Sequence, residues 1–152
     1  QGFYIAKEEP DFMWLRKELE RSSADIVLYQ MPYRDTAQFN LESLIAMRNM
    51  MEGRYIPGPS EGSYMSTETE ELPPLLTNVH DFPAGYTMEL RGMWRVENNY
   101  MGGPFVSYTF ADSRTGNLVT VEGFYYEPNQ KKRNALLQLE SILYSLNFVE
   151  MK

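Results

Sequence analysis

Between Tyr86 and Val96 the apolar residues fall on alternate positions, Met88, Leu90, Trp94 and Val96, with Glu89, Arg91 and Arg95 among the residues between them. A two-residue period belongs to a strand with one face buried and the other solvated, so this segment predicts an antiparallel strand. It runs into Asn99-Tyr-Met-Gly-Gly-Pro-Phe105, a turn rich in aromatics. Phe105 to Ala111 and Leu118 to Tyr126 then flank Asp112-Ser-Arg-Thr-Gly-Asn117, whose Asp, Gly and Asn suit a hairpin. Three consecutive antiparallel strands are expected here. After Asn129 the period changes, and Leu136, Leu139, Leu143 and Leu146 recur at three and four residues. That spacing predicts a closing amphipathic helix packed on the sheet.

The first half is less regular. Phe3-Tyr-Ile-Ala6 suits a short strand, and Pro10 can open a helix because the N–H it lacks has no partner in a first turn. Phe12, Leu15 and Leu19 mark one face of that helix, Ser22-Ser23 ends it, and Asp25-Ile-Val-Leu-Tyr-Gln30 predicts a strand closed by Pro32. Asn40 can cap a second helix whose buried side carries Leu41, Leu44, Ile45 and Met51, with Gly53 as a left-handed C-terminal cap. Ile56-Pro-Gly-Pro-Ser-Glu-Gly62 reads as a turn-rich loop and Ser63-Tyr-Met-Ser-Thr-Glu68 as a candidate further strand. Glu68 to Pro83 combines acids, Pro73-Pro74 and no sustained period, and is expected to be a mobile excursion. The main order is β-α-β-α-β-β-β-α. It predicts a single α+β domain over residues 1–152, a two-layer sandwich with helices on one face of a mainly antiparallel sheet.

Composition narrows the chemistry more than the fold. A chain of 152 residues with 43% hydrophobic and 23% charged residues can bury one core, and no apolar run approaches the roughly 20 residues of a membrane span. The net charge of -7 repels phosphate backbones, so nucleic acid is not an expected partner. With no Cys there is no disulfide, thiolate nucleophile or Cys-ligated metal. His80 is the one imidazole, set in the loop Thr77-Asn-Val-His-Asp-Phe-Pro83, and it reads as a solvated side chain or, alternatively, a catalytic one. No metal or cofactor is expected. The chain opens at Gln1 without an initiator Met or signal peptide, as in a processed product or a fragment, so the absence of a targeting signal is uninformative.

Several stretches together carry a family resemblance: Phe12-Met-Trp-Leu-Arg16, Arg54-Tyr-Ile-Pro-Gly-Pro59, Ser63-Tyr-Met-Ser-Thr-Glu68, Glu89-Leu-Arg-Gly-Met-Trp94, Asn99-Tyr-Met-Gly-Gly-Pro-Phe-Val106, Val121-Glu-Gly-Phe-Tyr125 and Lys132-Arg-Asn134 with the Leu-rich helix after it. In this order, over nearly the whole chain, they resemble a family of uncharacterised Bacteroidetes lipoproteins known only as a domain of unknown function. The chain departs from that pattern at Met93 and Tyr100, where Leu and Phe are expected. The resemblance implies the C-terminal portion of a longer lipoprotein, a cell-envelope address, and contact with a membrane only through a lipid anchor outside this chain. It carries over no functional residue. In strand order and closing helix the chain is also similar to the photosystem extrinsic-subunit (PsbP-like) fold, an analogy of architecture that transfers no function.

Three groups of residues are candidate sites. Arg91, Trp94, Tyr100, Met101, Gly102, Gly103 and Phe105 offer a binding edge, since the glycines allow close backbone approach and exposed aromatics give rigid contact area; the alternative is a tight turn covering the core. Glu89 and Glu122 with Arg91 can form a carboxylate pair acting on a glycosidic bond if the carboxyls stand roughly 5–10 Å apart, or a solvated cross-strand ion pair. Lys131, Lys132 and Arg133 fall in the first turn of the last helix, where the dipole disfavours cations, and form a docking patch for an acidic group or simply reach nearby acids. The leading expectation is a non-enzymatic envelope domain that binds a protein or glycan. The alternatives are a carboxylate-dependent glycan hydrolase and a scaffold packing against a preceding segment.

Overall fold

A computed structural model describes residues 2–127 and 133–145. In chain order the elements are β1 (Tyr4–Glu9), β2 (Phe12–Glu18), β3 (Ser23–Pro32), a 3-10 turn (Thr36–Phe39), α1 (Leu41–Tyr55), β4 (Tyr64–Thr67), β5 (Leu75–Val79), β6 (Thr87–Glu97), β7 (Gly102–Asp112), β8 (Asn117–Tyr126) and α2 (Arg133–Tyr144). The strands form one antiparallel sheet in the order β1-β2-β3-β8-β7-β6-β4, with β5 also paired to β6, and the sheet curls into a half-barrel. The expected meander of three strands is its centre. Register there is continuous, for example Arg91↔Val106 between β6 and β7 and Val106↔Gly123 between β7 and β8.

The two helices lie on opposite faces of the sheet. Arg48 of α1 hydrogen-bonds Glu122 of β8 at 2.9 Å, whereas Leu139 of α2 stands over the next residue, Gly123, where an added Cβ would meet its side chain at 3.0 Å. Successive strand residues point to opposite faces, so the sheet separates the helices. Each face has its own core. Phe12, Val27, Tyr29, Leu44, Met47, Leu90, Trp94, Phe105 and Phe124 pack on the α1 side, and Ile26, Val106, Tyr108, Phe110, Val121, Leu139 and Leu143 on the α2 side.

This arrangement overturns the two-layer sandwich with helices on one face, and with it the PsbP-like architecture. The largest local error is at the start. Pro10 and Asp11 form the turn of a β1–β2 hairpin, and Phe12–Glu18 is a strand paired on both sides, with β1 and with β3. Phe12, Leu15 and Leu19 have helical spacing, but Phe12, Trp14 and Arg16 alternate equally well, and sheet pairing satisfies the backbone on both edges. Two smaller corrections concern α1. Gly53 lies inside the helix rather than capping it, and an added Cβ would come within 3.2 Å of the Met65 carbonyl, so the glycine lets α1 press on β4. Leu41 is exposed, and the buried stripe is Leu44, Met47, Arg48 and Glu52. The stretch read as a mobile excursion contains β5, which pairs with β6 from Leu75↔Arg91 to Val79↔Thr87.

The reading of Asn40 holds, since its side chain accepts from the Ser43 N–H at 2.8 Å. Asn40→Ala is expected to cost about 1 kcal/mol of stability, the usual worth of such a cap, as measured by urea unfolding.

Candidate functional site

The α1 face of the sheet holds two charged features. The deeper is an ion cluster. Arg48 forks onto Glu122, with Nε to Oε1 at 2.9 Å and Nη2 to Oε2 at 3.0 Å, donates through Nη1 to Thr67 Oγ1 at 2.6 Å, and stacks with its guanidinium carbon 4.1 Å from the centre of the Phe105 ring. Glu52 joins from one turn further along α1, its Oε2 at 3.2 Å from Arg48 Nε, yet neither of its carboxyl oxygens has a hydrogen-bond partner among the described residues. All three side chains are buried. Burial drives the Glu52 pKa well above the carboxylate range, and the nearby Glu122 charge reinforces this against the pull of Arg48. One guanidinium therefore faces two carboxyl groups, and burial biases Glu52 toward its neutral form. The cluster is a sealed structural core.

The second feature is nearer the surface, where β2, β3, β8 and β6 meet the Pro57-Gly58-Pro59 loop. A cleft of about 60 Å³ is lined there by Trp14, Arg16, Pro57, Trp94, Met101 and Tyr126 among others. Register explains the grouping. Arg16, Asp25, Phe124 and Phe105 are successive partners across four strands, so they stand in one row on this face, with Trp14 one pair further along. Behind the wall, buried Asp25 accepts from Trp14 Nε1 at 2.8 Å and Ser23 Oγ at 3.1 Å, and Arg16 Nη1 lies 3.5 Å from it. Trp94 closes the floor, its indole N–H donating to the Tyr125 carbonyl at 3.1 Å and its ring meeting Phe124 edge-on at 5.6 Å.

Above the cleft is the β6–β7 turn. Val96 N–H donates to the Met101 carbonyl at 3.0 Å, and Asn98 takes a positive φ of 66°, a conformation Asn tolerates better than most residues. The tip is braced from outside, because Asn98 Nδ2 donates to the Gly62 carbonyl at 3.3 Å and Asn99 Nδ2 to Ser60 Oγ at 3.1 Å. Tyr100, at the apex, is fully exposed, and its neighbour Met101 lines the cleft.

Against this geometry stand the comparisons with known proteins. A family model described as a domain of unknown function (DUF4837) matches residues 1–145. The chain belongs to that family. No curated protein matches it. For the DUF4837 chain, the residues themselves must therefore supply the functional argument.

The structure splits the predicted binding edge in two. Tyr100 and Met101 sit together at the tip, and Trp94 is in the same neighbourhood but only 2% exposed. Gly102 and Gly103 belong to strand β7 rather than to a loop, and the close approach Gly103 permits is internal, since its Cβ position lies 2.4 Å from the Tyr125 carbonyl oxygen and 2.8 Å from Trp94 Nε1. Phe105 is core beneath Arg48. Arg91 faces the other way. It binds Glu89 at 2.9 Å and also Glu140 of α2, while Tyr108 donates to Glu89 at 3.0 Å, so this group ties α2 to the sheet. Glu89 shares the face of its partner Tyr108, and Glu122 lies on the opposite face as the partner of Ser107. With the sheet between them, the two carboxylates cannot flank one glycosidic bond. Lys131 and Lys132 lie outside the described residues, as does the side chain of Arg133. His80 is exposed in a bend.

Trp14, Arg16, Asp25 and Arg48 were missing from the sequence reading. The first two were hidden by the helix assigned to Phe12–Leu19, and Arg48 was legible in principle, because Leu44, Arg48 and Glu52 form one helical stripe. A larger depression, of about 290 Å³, lies elsewhere, between the β1–β2 turn and β3, with Glu8, Glu9 and Asp11 on its rim. There Glu9 pairs with Lys7 at 3.7 Å and Asp11 takes Gln30 at 3.4 Å, an ordinary solvated surface without convergent groups.

Proposed function

We propose that this is a non-enzymatic domain of a cell-envelope lipoprotein that binds an extended segment of a partner protein at the β6–β7 tip. The observation that carries the reading is the fully exposed Tyr100 on a braced turn, directly beside Met101 and the aromatic cleft it lines. A rigid exposed aromatic gives contact area at low entropic cost. The envelope address rests on the resemblance read from the sequence alone, and the family model that matches carries no description beyond a domain of unknown function.

Size selects the ligand group. The cleft offers about 60 Å³, whereas an apolar cavity that admits benzene measures about 150 Å³ and small-molecule pockets are about 300–1,000 Å³. A sugar ring does not enter; a small aliphatic side chain does. The partner therefore presents such a residue to Trp14, Met101 and Tyr126 while its backbone runs past Tyr100.

Selection from a phage-displayed peptide library tests this. Wild type is expected to enrich sequences with a shared aliphatic residue, and binding is expected to fall about tenfold or more in Tyr100→Ala/Met101→Ala, the range of an interface hot spot. Thermal stability should be unchanged in Tyr100→Ala alone, because Tyr100 buries nothing, and should fall somewhat in the double variant, because Met101 packs partly against the core. Equal binding by the variant removes the tip from the interface.

A further inference from the structure

We infer that Asp25 is a proton-operated latch for the cleft: as a carboxylate it fixes Trp14, Arg16 and Ser23, three residues of the cleft wall, and on protonation it releases Arg16 and loosens that wall. The inference concerns regulation of the site proposed above and rests on that reading for its consequence in binding, although the latch itself can be observed without any ligand.

The geometry is specific. Asp25 is completely buried, and each oxygen has its own donor, Trp14 Nε1 to Oδ1 at 2.8 Å and Ser23 Oγ to Oδ2 at 3.1 Å, with Arg16 Nη1 at 3.5 Å from Oδ1. Trp14, Arg16 and Ser23 all line the cleft. Arg16 has an alternative partner already in reach, since its Nε donates to Glu18 Oε1 at 3.1 Å, so loss of the Asp25 charge shifts it toward Glu18 and solvent. The charged and titratable groups around Asp25 are Arg16 and Glu18 on β2, Tyr4 on β1 and Glu52 on α1; across β8 its partner is the uncharged Phe124. Of these only Arg16 favours the carboxylate. Glu18 opposes it, and burial raises the Glu52 carboxyl toward its neutral form.

Burial pushes the Asp25 carboxyl up to about 6, against the lowering effects of the Trp14 hydrogen bond, the Arg16 charge and the Ser23 hydroxyl. An unfolded aspartate titrates near 3.9, so the folded chain holds this proton more tightly. The group therefore favours the folded state below about pH 4, and that advantage is lost as the pH rises to about 6, above which both forms are charged.

The two indole N–H groups report the latch separately, because Trp14 donates to Asp25 and Trp94 to the Tyr125 carbonyl. In ¹H–¹⁵N spectra of the wild type the Trp14 indole signal is expected to titrate with a midpoint near 6 while that of Trp94 stays still. Asp25→Asn should abolish the step, and Ser23→Ala, which removes a hydroxyl that favours the charged form, should raise its midpoint without touching the indole bond. A Trp14 signal that is flat through this range, or a step that persists in Asp25→Asn, overturns the latch. A peptide obtained by the library selection should bind more weakly at about pH 5 than at about pH 7.5 in wild type only; equal affinities at the two pH values overturn the coupling to binding. If no peptide is selected at all, the proposed function fails while the indole titration still decides the latch.

Discussion

Replacing Arg48 by Met lowers the folding stability by about 3–5 kcal/mol, the cost of leaving a buried charge uncompensated. The reasoning is geometric. Glu122 is buried on the sheet and receives both arms of the Arg48 fork, so the variant leaves a carboxylate in the core with its principal partner gone. The stacked contact of Arg48 on Phe105 and its bond to Thr67 are lost as well. Methionine fills much of the volume, which makes charge rather than cavity the main loss. Two companions isolate the cause. Arg48→Met/Glu122→Leu should recover a large part of the loss, because a well-packed apolar pair can match a buried ion pair. Glu52→Gln should flatten the dependence of stability on pH. Its carboxyl, raised by burial, holds its proton more tightly in the fold than in the unfolded chain, so its contribution to stability falls as pH rises through the range between those two values, and an amide removes that dependence. Urea unfolding followed by circular dichroism gives all four free energies. A cost below about 1 kcal/mol for Arg48→Met would show that Glu122 has other compensation.

Gly103→Ala is the second large effect, with an expected cost of about 2–6 kcal/mol from overpacking together with an orphaned buried donor. The added Cβ would sit 2.4 Å from the Tyr125 carbonyl oxygen and 2.8 Å from Trp94 Nε1, inside the hydrogen bond that joins those two groups at 3.1 Å. One obstacle is backbone in the centre of the sheet and cannot move aside as a flexible side chain would. Gly102→Ala next to it meets only the Trp94 carbonyl, at 3.0 Å, and should cost distinctly less. Thermal unfolding compares the two, and the near-ultraviolet signal of Trp94 should change in the first variant alone. Equal and small effects would mean that β7 shifts freely against β8.

The contrast between what was legible and what was not follows from the range of the interactions. The strands β6 to β8 and the closing helix were readable because their periods are local: Leu90, Trp94 and Val96 alternate, and Leu139 and Leu143 are one turn apart. Phe12–Glu18 was not, since its few apolar residues fit both periods and the choice is made by pairing with β3, a tertiary fact. That choice then reversed the layer assignment, because a hairpin replaced a covering helix. At the site, Tyr100 stands exposed at the aromatic turn, while the alternation of Leu90, Trp94 and Val96 already marks Trp94 for the buried face rather than for an exposed edge. Glu122 reads in sequence as a companion of Glu89 and Arg91, whereas its actual partner Arg48 lies 74 residues away. Asp25 opens an apolar strand, and nothing adjacent to it in sequence announces that Trp14 and Arg16 fold back upon it.

The central claim is that a partner segment enters the cleft beneath Tyr100, and methionine methyl spectra during titration with a library-selected peptide test it most directly. Met101 and Met65 line the cleft, and Met50, exposed on α1 and absent from its walls, serves as the internal control. The account predicts saturable shifts of the Met101 and Met65 methyl signals with Met50 unchanged. Saturable shifts confined to Met50 and other residues away from the cleft would contradict it.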